Sequence, residues 1–144
     1  MSLVVWNDAL TGGTGRSGTR YRLICERAAD GTGRGLWRID ADDAAICALE
    51  SVEQAVLHAE ALEALRCMAR GLNAHLSDEQ LQSAGVVAGE MLRATNTALK
   101  AASGTAQSEL MRSARSLGFL GDAIRDERAR RQQEGDRSPR PLPN

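Results

Sequence analysis

The hydrophobic pattern of this chain changes period near residue 50, and that change limits what the chain can fold into. Before it, Tyr21, Leu23 and Cys25 alternate with Arg20, Arg22 and Ile24, and Trp37, Ile39 and Ala41 alternate with Arg38 and Asp40. Period two marks strands with one buried face. The turn cluster DGTGRG at residues 30–35 joins the two runs, so they read as an antiparallel hairpin. The short apolar run 44–49 is either a third strand or not, because periodicity alone does not assign it. Residues 3–6 read as a further edge strand.

After residue 50 the spacing is helical. Ser51-Val52-Glu53-Gln54 has the capping-box form, in which a hydroxyl satisfies a free amide of the first turn. Val52, Val56, Ala59, Leu62 and Leu65 then mark one side of a helix that Gly71 stops. Ser77-Asp78-Glu79-Gln80 repeats the box and starts a second helix, with the stripe Leu81, Ala84, Ala88, Met91, Thr95, Ala98 and Ala102. A third follows Thr105 through Leu110, Ala114, Leu117, Gly121 and Ile124, and frays near Gly135. The expected architecture is α+β: a small antiparallel sheet (a hairpin or three strands) backed by one helix, a long two-helix hairpin and a tail. Its parts are an N-terminal strand and flexible Gly-rich loop over 1–18, a β-β-(β)-α unit over 19–72, a helical hairpin over 77–134 and a disordered tail over 135–144. Pro139, Pro141 and Pro143 alternate in that tail and miss the PxxP spacing.

Composition narrows the function classes. No uncharged run reaches the roughly 18 residues of a membrane span, and Asp8 interrupts an N-terminus that lacks a basic leader. Three cysteines, Cys25, Cys47 and Cys67, are an odd number at irregular spacing, which argues for a reducing, cytoplasmic setting. Lys100 is the one lysine among 18 basic residues, a bias that points to a GC-rich bacterial source. The net charge is −1. Residues 41–80 carry two Arg against eight acids, including Glu60 and Glu63, and residues 81–144 carry ten bases against seven acids. A dedicated nucleic-acid binder carries a stronger basic excess.

The motif GTGRSGT at residues 13–19 spells G-x-G-x-x-G after an apolar run. A dinucleotide loop must run into a helix whose N-terminus holds the pyrophosphate. Here it runs into RYRLICER, which alternates as a strand, and no Lys precedes Thr19 as a P-loop requires. The segment therefore reads as a flexible connection that binds no nucleotide. Cys25, Cys47, Cys67, His58 and His75 include no pair at metal-ligand spacing, and no local signal supports a Cys–His nucleophile. Asp42-Asp43 read as turn residues. No catalytic residue, cofactor or metal is expected, and the chain is not expected to be an enzyme.

Arg20-Tyr21-Arg22 and Trp37-Arg38 resemble a base-stacking platform. Parity opposes it: the aromatics share a strand face with Leu23, Ile39 and Ala41, and the arginines take the other. The C-terminal run holds Arg128, Arg130 and Arg131 among acids at i,i+4, the pairs Asp126–Arg130 and Glu127–Arg131, as a solvated helix end does. A regulator touching nucleic acid through Arg20, Arg22, Arg38, Arg128, Arg130 and Arg131 is the second reading. The first comes from length. Helices of about 25 and 28 residues span roughly 37 and 42 Å, too long to bury their stripes on a small sheet. Gly85, Gly89, Gly118 and Gly121 inside them suggest close approach of the two helices, or of another chain. The expected function is protein binding by an adaptor, inhibitor or regulator, bacterial or from a mobile element, which self-associates or meets an unknown protein partner through Leu81, Met91, Leu110, Leu117 and Ile124. The acidic face of the first helix is a further candidate surface.

Overall fold

Each strand pairs with the next one in sequence, which makes every connection in the sheet a hairpin. In the computed structural model, which describes residues 2–137, the strands are β1 (Val4–Trp6), β2 (Gly12–Gly15), β3 (Arg20–Arg27), β4 (Leu36–Ala41) and β5 (Ala44–Leu49). All pairings are antiparallel, in the order β1-β2-β3-β4-β5. Helices α1 (Val52–Ala69), α2 (Asp78–Leu99) and α3 (Gly104–Arg137) follow. The chain divides into two units between Leu76 and Ser77.

The run 44–49 is a strand because Asp42 and Asp43 fold it back on β4. Both have positive φ, 49° and 67°, as a two-residue hairpin turn matching the strand twist requires and as Asp tolerates. Asp42 also accepts a hydrogen bond from the Arg20 amide at 2.9 Å, tying this turn to β3. The expected edge strand is β1, and a further strand, β2, lies where a flexible loop was expected: both belong to the sheet, with Val4 opposite Gly15 and Gly13 opposite Tyr21. Glycine has no side chain to alternate, so GGTG hides its strand period.

α1 covers one face of the sheet. Val4, Tyr21, Leu23, Ile39 and Ala41 pack with Ala55 and Ala59, while Trp6, Trp37, Cys47, Leu49, Val52 and Val56 surround them. Parity thus holds for Tyr21, Leu23, Ile39 and Ala41. It fails at Cys25, which is exposed where a register shift follows in β3. The helix starts with the Ser51 hydroxyl accepting from the Gln54 amide. It ends as Leu72 and Gly71 donate to the carbonyls of Cys67 and Met68, the Schellman arrangement that a left-handed glycine permits.

Two of the α1 acids point inward rather than out to a partner. Glu60 accepts from the Leu3 and Val4 amides at 2.9 and 3.0 Å. Glu63 is fully buried and accepts from the Ser17 amide at 2.5 Å and the Tyr21 hydroxyl at 2.7 Å. GTGRSGT is the clasp around this carboxylate. A Cβ on Gly15 would land on the Glu63 carboxyl, and one on Gly13 would come within 2.8 Å of the Trp6 ring. Gly18, with φ +91°, turns the chain into β3. Each glycine of the motif has its own packing or turn requirement.

In the second unit α2 and α3 pack as a hairpin. The Ser77–Gln80 capping box forms with both of its hydrogen bonds. Leu81, Ala84, Val87 and Ala88 of α2 and Leu117 and Ile124 of α3 are buried. Beyond them α2 turns Leu92, Thr95 and Leu99 partly inward and leaves Met91 and Ala98 exposed, a rotation from the expected stripe. α3 continues through Gly135 to Arg137. The remainder of the expected tail, 138–144, lies outside the described residues.

Candidate protein-interaction surface

Four glycines inside α2 and α3 open onto one groove of about 520 Å³ along the hairpin. Gly85 and Gly89 come from α2, Gly118 and Gly121 from α3, and Leu117 and Ile124 help to line it. These glycines do not mark close approach of the two helices to each other. A Cβ at Gly85 would make an ordinary 3.5 Å contact with Ile124, and at Gly89, Gly118 or Gly121 it would meet nothing within 4 Å. Each interior glycine costs a helix about 1 kcal/mol against alanine, and at three of the four no intrachain packing offsets that cost.

Of the interface residues expected from sequence, Leu81, Leu117 and Ile124 are buried, at 0%, 8% and 2% exposure. Leu117 and Ile124 are groove residues, reached only by a group that enters it. Leu110 is half-buried and Met91 is exposed. The large apolar side chains exposed on the hairpin include Val86, Met111 and Phe119, at 54%, 50% and 67% exposure. Spacing did not single these out, since they fall beside the helical stripe rather than on it. The signal that could have located the groove was the glycine spacing on α2 and α3 together.

The candidate arginines separate into two kinds. Arg38 is held by Glu26 at 2.6 Å and Asp40 at 2.8 Å. Arg130 is held by Glu127 at 2.8 Å and Glu134 at 2.5 Å, and Arg131 by Glu127 at 2.9 Å and Asp78 at 3.0 Å. The expected Glu127–Arg131 pair forms, whereas Arg130 turns to Glu127 and Glu134 instead of Asp126. Hydrogen bonds from Arg130, and then from Arg131, hold the Glu127 carboxyl down at about 2 despite its burial. Arg20 and Arg22 in the first unit and Arg128 in the second are exposed, with no carboxylate partner among the described residues.

Tyr21 and Cys67, beside Glu63, hold their protons tightly. Burial, then the Glu63 hydrogen bond and charge, push the Tyr21 hydroxyl far above its ordinary range. Burial, then the Glu63 charge, push the Cys67 thiol up to about 11, away from the thiolate that nucleophilic chemistry needs. All three cysteines are free thiols. Among the described residues no group of His, Cys, Asp and Glu is placed to hold a metal ion, and no helix is long and apolar enough to cross a membrane. No protein family, curated protein or solved structure matches the chain.

Proposed function

We propose that this chain is a non-enzymatic protein-binding module, an adaptor, inhibitor or regulator, whose α2–α3 groove receives a helix. One observation carries the reading: Gly89, Gly118 and Gly121 leave a hollow that no atom of the described residues fills. Glycine lets another backbone come close, so a helix seated there would use the space that the glycines keep open. Exposed Val86 and Phe119 would add apolar contact. A second copy is one source of such a helix, and self-association is then how the groove is filled. The free thiols and the preference for arginine over lysine fit a bacterial, cytoplasmic protein. Nucleic-acid binding has less support, because Arg38, Arg130 and Arg131 are already engaged by carboxylates.

The test is the solution mass of the full chain beside Gly118→Leu, which fills the hollow with a side chain. A dimer that becomes monomeric on filling would make a second copy the occupant. A monomer would direct the search to foreign helices. A chain that neither self-associates nor binds any helix through the groove would overturn the proposal.

A further inference from the structure

Carboxylates fasten the N-terminal hairpin of the first unit to α1. Half-buried Glu60 receives the Leu3 amide at one oxygen and the Val4 amide at the other. Fully buried Glu63 receives the Ser17 amide. All three donors belong to residues 3–17, the stretch that contains β1 and β2. Its other attachments are slight. β1 has three residues, and β2 is GGTG and meets β3 through Gly12–Arg22, Gly13–Tyr21 and Thr14–Arg20. Leu3 and Val4 are buried, and Trp6 is half-buried beside Tyr21. Neither carboxylate takes part in an ion pair among the described residues. Arg66 donates to Thr19 and pairs with Asp42 instead, while Arg16 and Arg70 act on neighbouring Cys67 by charge. Leu3 and Val4 bring no titratable side chain to Glu60. Tyr21 and Cys67, which face Glu63, keep their protons. The charge that acid removes at this junction is therefore that of the two carboxylates.

We infer that residues 3–17 are an acid-released strap, which lifts from α1 and β3 as Glu60 and Glu63 take up protons while β3, β4, β5 and α1 stay folded. An ionised carboxylate only accepts hydrogen bonds, and a bound proton turns one of its oxygens into a donor. Proton uptake therefore weakens the amide bonds that hold the strap. Their contribution is present while the carboxylates are ionised and is lost as the pH falls through their protonation. The rest of the unit does not depend on them: Ala55 and Ala59 of α1 pack with Leu23, Ile39 and Ala41, none of which titrates. Release frees the β3 edge that Gly12, Gly13 and Thr14 now cover. A free edge is a template for another strand, so acidity decides whether the sheet presents one there. This inference is independent of the α2–α3 groove.

Amide hydrogen exchange of the full chain tests it, read as protection factors so that the intrinsic effect of pH on exchange cancels. The pH is stepped down from neutral through the ordinary carboxylate range. The Leu3, Val4 and Ser17 amides are expected to lose protection by at least about tenfold. The Leu23 amide should follow them, because it donates to the Thr11 carbonyl of the strap. The amides between β4 and β5 should keep theirs. Glu60→Gln keeps one accepting oxygen and cannot ionise, so its strap should be less protected at neutral pH and lose less in acid. Circular dichroism checks that this variant folds. Protection lost from the strap and from β4 in a single step would overturn the inference, since the unit then opens as a whole. So would a strap that keeps its protection in acid. An acid release of unchanged size in Glu60→Gln would remove the carboxylate latch as its cause and overturn it as well.

Discussion

Gly15 and Glu63 decide whether α1 can close on the sheet. The carboxylate occupies the place where any other residue would put its Cβ, and it satisfies the Ser17 amide and the Tyr21 hydroxyl in the interior. Gly15→Ala must push Glu63 off those partners, combining overpacking with the loss of buried hydrogen bonds. The expected cost is about 3 kcal/mol in urea unfolding, and a change under about 1 kcal/mol would mean that the clasp yields freely. Tyr21 is the one tyrosine in the chain, so its phenolate absorbance reports on the cluster cleanly. Its folded pKa lies above the ordinary 10.0, so above that pH the unfolded chain releases a proton that the folded chain keeps. The stability contributed by Tyr21 is therefore present below about pH 10 and falls as the pH rises past it. Phenolate absorbance that appears near pH 10 while the protein is still folded would contradict this. Thiol labelling gives a third check: exposed Cys25 should react promptly, while Cys67 waits for unfolding.

Elements that announce themselves through side chains were legible in the sequence. β3 and β4 showed period two, and Ser51 and Ser77 marked helix starts that the structure places at Val52 and Asp78. β1 was legible as an edge strand, whereas β2 was obscured because it consists largely of glycine, and β5 stayed open because its return depends on the backbone of Asp42 and Asp43. Of the candidate site, the four glycines were visible with two readings, and of these close approach of α2 and α3 is the one the structure opposes. Spacing shows that glycines face a seam, not whether the seam is filled. Along α3, the Glu127 network makes a prediction that belongs to the helix. Arg130 and Arg131 hold its carboxyl at about 2 against an ordinary 4.5. Its stabilising effect is thus complete above pH 4.5 and is lost as the pH falls towards 2. Melting temperature should drop across that window, and Glu127→Gln should flatten the drop. Equal acid sensitivity in the variant would assign the loss to other carboxylates.

The molecule combines a unit tied together by buried carboxylates with a hairpin whose own residues leave a hollow unfilled. Stability alone does not account for that difference. Alanine at Gly89 and Gly118 would meet no atom within 4 Å and would raise the intrinsic helix propensity by about 1 kcal/mol at each site. A chain under selection only to fold has no use for glycine there. If the hollow serves binding, the substitutions must act in opposite directions on the two properties. Gly89→Ala with Gly118→Ala should raise the free energy of unfolding by about 1–2 kcal/mol, and should also weaken whatever helix the groove holds, since each added methyl group stands where the partner backbone would lie. Chemical denaturation measures the first effect, and solution mass or peptide affinity measures the second. A gain in stability with binding unchanged would reduce the glycines to a tolerated cost and remove the groove as the functional surface. A gain in stability with a loss of binding would show that folding and function make opposing demands at the same two positions.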